Sequence, residues 1–268
     1  MTESAIPVRM PRRRFPVARA VSALVLREMS TTYGRSPGGY VWAVVEPVAA
    51  ISFLSIAFSF FTHMPPLGQS FVLFYATGFL PLAAFQSISG AVASAIRFSR
   101  QLLSYPTVTY VDAILARLVL NILTQSLVFL IVITGVSIVS DTGANIDPIL
   151  ILRAWGMVIA LGTGVGLLNC FLTSMFPVWQ LIWSVLTRPL FLVSGVVYLV
   201  DGLKEQAREY ALMIPPAHFI MMMRRGFYDY YTGAYVSEQF IYGLSLILAV
   251  LGMVLLHRYH RLILTEKK

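Results

Sequence analysis

The sequence predicts an all-α membrane protein with six transmembrane helices, an N-terminal interfacial amphipathic helix and a re-entrant helical hairpin between spans five and six. Three observations lead there. Hydrophobic residue types make up 57% of the 268 residues and charged types only 12%, against about 45–50% and about 25% in ordinary soluble domains. The mean hydropathy is +0.76. Six apolar runs reach the roughly 20 residues needed to cross ~30 Å of hydrocarbon at ~1.5 Å per residue. A soluble enzyme, a disordered chain and a secreted disulfide scaffold are excluded on composition. The single cysteine, Cys170, lies in an apolar run and has no intramolecular partner.

The runs are 41–61, 70–93, 114–139, 149–175, 178–200 and 240–256. Phe176 and Pro177 alone separate the fourth from the fifth, which calls for a tight connection. Orientation follows from the side that carries Lys and Arg. With the N-terminus inside, residues 1–40, the loop 94–113 and the tail 257–268 carry thirteen of the 20 basic residues, and the long outer loop 201–239 carries four. Both termini are therefore expected in the cytoplasm of a multi-pass bacterial inner-membrane protein. The net charge of +8 is read as this topology signal rather than as a nucleic-acid footprint. The first long apolar run begins near residue 41, too late for a signal peptide.

Three segments are expected not to span. In 17–30, Val17, Val21, Leu24 and Val25 share one helical face while Arg19, Ser22 and Arg27 lie elsewhere, as in a helix lying in the interface with its apolar side in lipid. The alternative is a plain basic leader. The loop 94–113 is short and polar but carries Leu102, Leu103 and Tyr105 before Pro106. They suit either docking onto a partner or rest at the membrane surface. In the outer loop, 202–214 and 217–231 read as two short helices split by Pro215 and Pro216. A re-entrant or interfacial hairpin fits the apolar run 219–223, and Tyr228, Tyr230 and Tyr231 suit an aromatic belt.

Polar groups inside the spans point to function. Arg188 sits midway along the fifth run, where an arginine costs at least ~2.5 kcal/mol and should face a cavity or partner. Gln180, Ser184 and Arg188 make one polar stripe with Trp179 and Trp183 beside it, and Arg117, Asn121 and Gln125 make a second. Glu46 is the only carboxylate well inside a span. Interhelical hydrogen bonding accounts for Asn121 and Gln125, whereas Arg188 and Glu46 invite a function or a charge pair. Gly162 and Gly166 have the small-xxx-small spacing of close helix packing rather than of a phosphate loop. His257 and His260, at i and i+3, lack further metal ligands and read as interfacial anchors. No HExxH, GxSxG or Walker A motif occurs. Hydrolytic and nucleotide-binding chemistry of the chain's own is not expected, nor is a metal or cofactor.

Residues 26–47, LREMSTTYGRSPGGYVWAVVEP, resemble the first segment of type-2 ABC exporter permeases, most nearly the capsular-polysaccharide export permeases. Ser104-Tyr105-Pro106, Val111-Asp112-Ala113-Ile114, Ala116-Arg117, Phe176-Pro177 and Arg188-Pro189-Leu190 agree in order. The stretch Pro215-Pro216-Ala217-His218 is similar to the family's Asn-Pro-x-x-His, without the asparagine. The resemblance implies a homodimer around a polysaccharide channel. Its parts would be a cytoplasmic N-terminus 1–40, a transmembrane domain 41–256 and a cytoplasmic tail 257–268. A separate cytoplasmic ABC ATPase, carrying ATP and Mg, would dock on the coupling loop 94–113 at Leu102, Leu103, Tyr105 and Pro106. The hairpin 201–239 would form a periplasmic gate with Pro215, Pro216, His218, Arg224 and Arg225. A periplasmic polysaccharide co-polymerase and an outer-membrane export protein are implied as further partners.

The function expected on this basis is the permease subunit of an ATP-driven exporter that moves lipid-linked capsular polysaccharide from cytoplasm to periplasm. O-antigen and teichoic acid are alternative cargoes. Tyr40, Trp42, Trp179 and Trp183 would stack on sugars. Arg35, Arg97, Arg100 and Arg188 would attract acidic groups, with Glu46 also in the channel. An ion-coupled secondary transporter using Glu46 and Arg188 remains a rival. A membrane-embedded sugar transferase is the weaker rival, lacking a convincing pair of catalytic groups.

Overall fold

The computed structural model describes residues 16–32, 38–100, 103, 109–140 and 146–265. The elements in chain order are α1 (Pro16–Thr32), α2 (Gly39–Ser59), α3 (Phe71–Ala93), α4 (Ala95–Phe98), α5 (Tyr110–Val139), α6 (Pro148–Met175), α7 (Trp179–Thr187), α8 (Leu190–Val193), a 3-10 turn (Val200–Gly202), α9 (Glu205–Leu212), α10 (Pro215–Phe227) and α11 (Glu238–Thr265). The helix starts follow local chemistry. Ser70 accepts from the Leu73 N–H ahead of α3. Thr109 and Asp112 form a reciprocal capping box on α5, and Asp147 accepts from Ile149 and Leu150 ahead of α6, with Pro148 in the first turn. Such side-chain oxygens pair the N–H groups that a helix start leaves unbonded. Pro215 and Pro216 open α10, where a missing N–H costs nothing.

Among the described residues five helices are long and apolar enough to cross a membrane: Val41–Ser59, Phe71–Ala93, Tyr110–Val139, Pro148–Met175 and Glu238–His260. The expected run 178–200 is not one helix. It ends as α7 at Thr187, resumes as the four-residue α8, and leaves helical geometry at Ser194. Pro189 supplies no N–H to the carbonyl four residues back. Gly195 then takes φ +79°, a left-handed conformation open to glycine without a Cβ clash. No residue of α7 or α8 is buried.

Helix α6 is the centre of the molecule, packed between α3 and α11. Its glycines make this possible. A Cβ on Gly162 would stand 2.9 Å from the Ile88 side chain, and one on Gly166 2.7 Å from Val92, both on α3. The close packing expected of this pair is thus observed. Gly164 points the other way, and a Cβ there would lie 2.5 Å from the Ser245 carbonyl oxygen of α11.

The N-terminal segment forms the helix α1 over Pro16–Thr32. Its face carrying Val21, Leu24 and Val25 is half-buried, and Glu28 on the same side is buried. That face packs on α5. Glu28 on the same side forms an ion pair with Arg117 of α5. Leu26 stays exposed on the far side.

Helices α9 and α10 form the expected pair of short helices split at the prolines. Helix α10 lies against α3 and α6. Phe219 meets Phe85 in the middle of α3, Arg224 covers Phe74 near its start, and Gly226 abuts Ile151 in the first turn of α6. The helix therefore climbs from the mid-level of α3 to the ends of α3 and α6. Nearly all of it is buried.

Candidate functional site

A polar groove runs along α3 between α2 and α7. Its first part is a cleft of about 510 Å³ bounded by the opening turns of α2, the second half of α3 and the middle of α5. Trp42, Glu46, Gln86, Ser87 and Gln125 give it chemistry. Its second part, about 390 Å³, lies between α3 and α7 and includes Arg97, Thr173, Gln180, Trp183 and Ser184. Gln86 lines both parts and joins them. It sits on the side of α3 that α6 leaves uncovered, and is exposed although most of α3 is buried. Pro47 also lines the first cleft and withholds the N–H that the Ala43 carbonyl would accept within the helix.

Glu46 and Arg188 are both exposed, while Arg117 pairs with Glu28 and Arg153 with Glu238. The charge pair that the sequence invited at Glu46 and Arg188 is thus not formed within the chain among the described residues. Trp42 is 62% exposed into the cleft and Trp183 half-buried beside the second part. Trp179 is placed differently: its indole N–H donates to Asn169 Oδ1 at 2.9 Å, tying α7 to α6. Gln125 donates to Ser87 Oγ at 2.9 Å, the interhelical bond expected of it, whereas the Asn121 amide oxygen has no partner among the described residues.

At the end of the groove near Arg97, several elements converge on α4. Arg97 Nη1 donates to Gln180 Oε1 at 2.6 Å, joining α4 to α7. Arg117 pairs with Glu28, donates to Ser94 Oγ at 2.6 Å, and lies 4.2 Å over the Phe98 ring. A buried charge held by a carboxylate, a hydroxyl and an aromatic face is compensated on every side. Arg100 is half-buried beyond this node. Leu103 is half-buried against the cluster of Ile96 and Ile114. Leu102, Tyr105, Pro106 and Arg35 lie outside the described residues, as does the Tyr40 side chain.

The opposite end is organised by a residue that the sequence reading had placed in a gate. Arg224 is fully buried. It donates to the carbonyls of Gly195 and Val196 at 2.7 Å and of Tyr198 at 2.9 Å, in the non-helical segment beyond α8. A Cβ on Gly78 would crowd its Nη2 at 3.1 Å. Tyr228 and Tyr231 are buried beside it, and the Tyr231 hydroxyl donates to Asp201. These two tyrosines therefore do not form an aromatic belt, because the charge of Arg224 and the turn at Asp201 draw them inward. Tyr230 alone of the three is exposed, and so is Arg225.

His218 is buried, with Pro216 buried and Pro215 half-buried before it. Its Nδ1 accepts from the Ser237 N–H at 3.1 Å, so Nε2 carries the proton and donates to the Leu212 carbonyl at 2.9 Å. One neutral ring thus pins the end of α9 and the approach to α11 onto α10. Burial pushes its pKa below the ordinary 6.5, and the bond to Leu212 opposes that shift. His257 and His260 pack on Tyr110. No group of metal-ligating side chains occurs among the described residues.

Sequence reasoning named the aromatic and charged lining of the groove but missed Gln86, Ser87 and Thr173 within it. The available signal was the cluster of Gln86, Ser87 and Ser89 in an otherwise apolar span. Glu28 lies on the face of α1 that carries its apolar stripe, so composition alone gives no sign of its pairing with Arg117.

Known proteins share this chain's sequence over most of its length. The capsule polysaccharide export inner-membrane protein CtrC of Neisseria meningitidis serogroup A is 27% identical over 243 residues, 91% of this chain and 92% of the relative. The polysialic acid transport protein KpsM of Escherichia coli is 28% identical over 258 residues, covering 96% of this chain and 100% of the relative. The capsule polysaccharide export inner-membrane protein BexB of Haemophilus influenzae is 27% identical over 243 residues, 91% of this chain and 92% of the relative. The family model for ABC-2 type transporters matches residues 19–228, from α1 through α10. The chain belongs to the ABC-2 type transporter family.

Proposed function

We propose that the chain is the membrane-spanning permease subunit of an ATP-driven exporter that carries lipid-linked capsular polysaccharide from cytoplasm to periplasm. The observation that carries this reading is the groove along α3. It holds exposed Trp42, half-buried Trp183 and polar Glu46, Gln86, Gln125 and Gln180 on otherwise apolar helices, with Arg97 of α4 at its end. Indole faces and amide or charged groups are what a hydroxyl-rich polymer needs for passage. Polar groups inside spans mark such pathways. The names of the relatives support the same cargo.

The chain has no Walker A sequence, so ATP and Mg belong to a separate cytoplasmic ATPase. That subunit docks at the loop following α4 and beside α1. The node at Phe98, Arg117 and Glu28 then passes its motion to α5 and, through Arg97 and Gln180, to α7. A partner that contacts two states differently is the physical requirement for such coupling.

Two copies enclose the channel, with α2, α7 and α8 toward its seam. These helices carry little burial within one chain. Both termini are cytoplasmic, as the basic residues indicate. Helices α7 and α8 with the segment to Val200 complete a sixth, broken crossing. Helices α9 and α10 form a re-entrant periplasmic hairpin in which α10 is covered by α3 and α6, protein cover being what such a segment needs in a bilayer. A periplasmic co-polymerase and an outer-membrane export protein receive the polymer.

The test is ATP-dependent uptake of labelled polymer into inverted vesicles containing this chain and its ATPase. Uptake should require ATP and survive a proton ionophore. Uptake by proteoliposomes of this chain alone, driven by a proton gradient, would overturn the reading in favour of an ion-coupled transporter.

A further inference from the structure

Helix α11 presents two faces of different chemistry. Ser245, Gly252 and Leu256 are buried. Ser245 faces Gly164 of α6, and a Cβ on Gly252 would stand 2.6 Å from the Leu167 backbone. On the opposite face Ile247, Leu251 and Val254 are exposed and fall in one row at about 3.6 residues per turn. Arg258 continues the row one turn after Val254 and is exposed. From Ile247 to Arg258 the row runs about 16 Å at ~1.5 Å per residue, close to half of the ~30 Å hydrocarbon core. It is an apolar track one leaflet deep that ends on a cation.

The end of the track is ordered by α5. The Tyr110 hydroxyl meets His257 Nδ1 at 3.2 Å, and the Tyr110 ring stacks on His260 with centroids 5.4 Å apart. With Nδ1 of His257 accepting, Nε2 carries the ring's proton and donates to an anion. His257 is exposed beside Arg258. Between Glu238 and Glu266 the sequence holds no Asp or Glu. Glu238 heads the far end of the helix and pairs with Arg153. Asp112, near Tyr110, is buried in the capping box of α5. Among the described residues no carboxylate pairs with Arg258. Glu266 and the Arg261 side chain lie outside the described residues.

A helix C-terminus favours cations by itself, but that preference asks nothing of the apolar row leading to it. Row and cation together match an amphiphile with an anionic head. A phosphate takes the planar fork of an arginine and one imidazole N–H. With the C-terminus cytoplasmic, as proposed above, the head lies at the cytoplasmic surface and the tail toward the bilayer middle, the sense of an inner-leaflet phospholipid. The track lies across α6 from the groove, since α6 packs between α3 and α11.

We propose that the cytoplasmic end of α11 binds an inner-leaflet anionic phospholipid, with phosphate at Arg258 and His257 and an acyl chain along Val254, Leu251 and Ile247. The site is separate from the groove and does not depend on the export reading.

The test uses the full chain in phosphatidylcholine nanodiscs and a phosphatidylglycerol with a diazirine in one acyl chain. Leu123, Leu127 and Leu130 form an exposed apolar row on α5 that serves as reference. Labelling of residues 247–254 should exceed labelling of that row by about tenfold, equivalent to ~1.4 kcal/mol of preference. The same diazirine on phosphatidylcholine should show no preference. Unlabelled phosphatidylglycerol should compete, and inorganic phosphate should not. Arg258→Gln combined with His257→Gln should abolish the preference at unchanged unfolding temperature. A preference kept by the double variant, shared by the phosphatidylcholine probe or displaced by inorganic phosphate would each overturn the lipid site. Adding the partner ATPase should leave the labelling intact. Loss of labelling on its addition would assign Arg258 to the protein interface and overturn the site as well. The assay uses neither polymer nor ATP, so uniform labelling leaves the export reading standing, and absence of export leaves the lipid site standing.

Discussion

The guanidinium of Arg224 lies 4.1 Å from the centroid of the Phe74 ring while its nitrogens hold three carbonyls of the segment beyond α8. Aromatic face and carbonyl oxygens together replace the water that this buried charge has lost. Replacing Arg224 by Met should strand those carbonyls and cost about 3 kcal/mol or more, since each unpaired buried group costs about 1–3 kcal/mol. Thermal unfolding of the purified protein in detergent checks this. Arg224→Lys should recover only part, because an ammonium lacks the planar fork that reaches carbonyls on both sides.

The Glu28–Arg117 ion pair should carry real coupling, because both side chains are about nine-tenths buried. A double-mutant cycle of Glu28→Gln and Arg117→Met should give an interaction of about 1–3 kcal/mol. Additive effects would show that α1 is held by its apolar face alone.

The three tryptophans of the groove region should behave differently. Trp42→Ala and Trp183→Ala should reduce polymer uptake about tenfold at unchanged unfolding temperature, as expected when ~1.4 kcal/mol of substrate contact is lost. Trp179→Phe should instead lose about 1 kcal/mol of stability, the worth of its hydrogen bond to Asn169. Arg188→Ala should lower uptake of acidic polymer, and wild-type uptake would remove Arg188 from the channel.

His218 predicts a pH dependence. Its folded pKa lies below the ordinary 6.5, chiefly through burial, so below pH 6.5 the unfolded chain binds the proton more readily. The stability it contributes is present above 6.5 and lost as pH falls from there toward the folded value. The unfolding temperature should be lower at about pH 5.5 than at about pH 7.5. His218→Gln should show a smaller difference between the two.

Glycine substitutions should separate packing from helix propensity. Gly164→Ala places a Cβ 2.5 Å from the Ser245 carbonyl oxygen, so α6 and α11 must part, at about 2 kcal/mol or more. Gly243→Ala in α11 meets nothing within 4 Å and should be neutral or stabilising by up to about 1 kcal/mol. Unfolding temperatures of both variants check the pair.

The amino-acid order alone determined the helical class, five of its six expected spans, the split at Pro215 and Pro216, and the close face of Gly162 and Gly166; only the structure shows the run 178–200 broken. Each depends on local quantities: run length, a missing N–H, the absence of a Cβ. It also singled out Glu46, a carboxylate standing in an apolar run, while Trp42, Arg97 and Trp183 were expected near the channel through the family resemblance. Only the tertiary structure decided which arginine is buried. Arg188, inside an apolar run, is exposed at a helix break, whereas Arg224, in a loop of mixed composition, is enclosed completely. Hydropathy measures what a side chain prefers. Burial of a charge depends on whether distant carbonyls, here those of Gly195, Val196 and Tyr198, come within reach to replace its water. The same holds for α1: its periodicity required an apolar neighbour, and only the tertiary structure shows that face against α5, with Glu28 paired to Arg117.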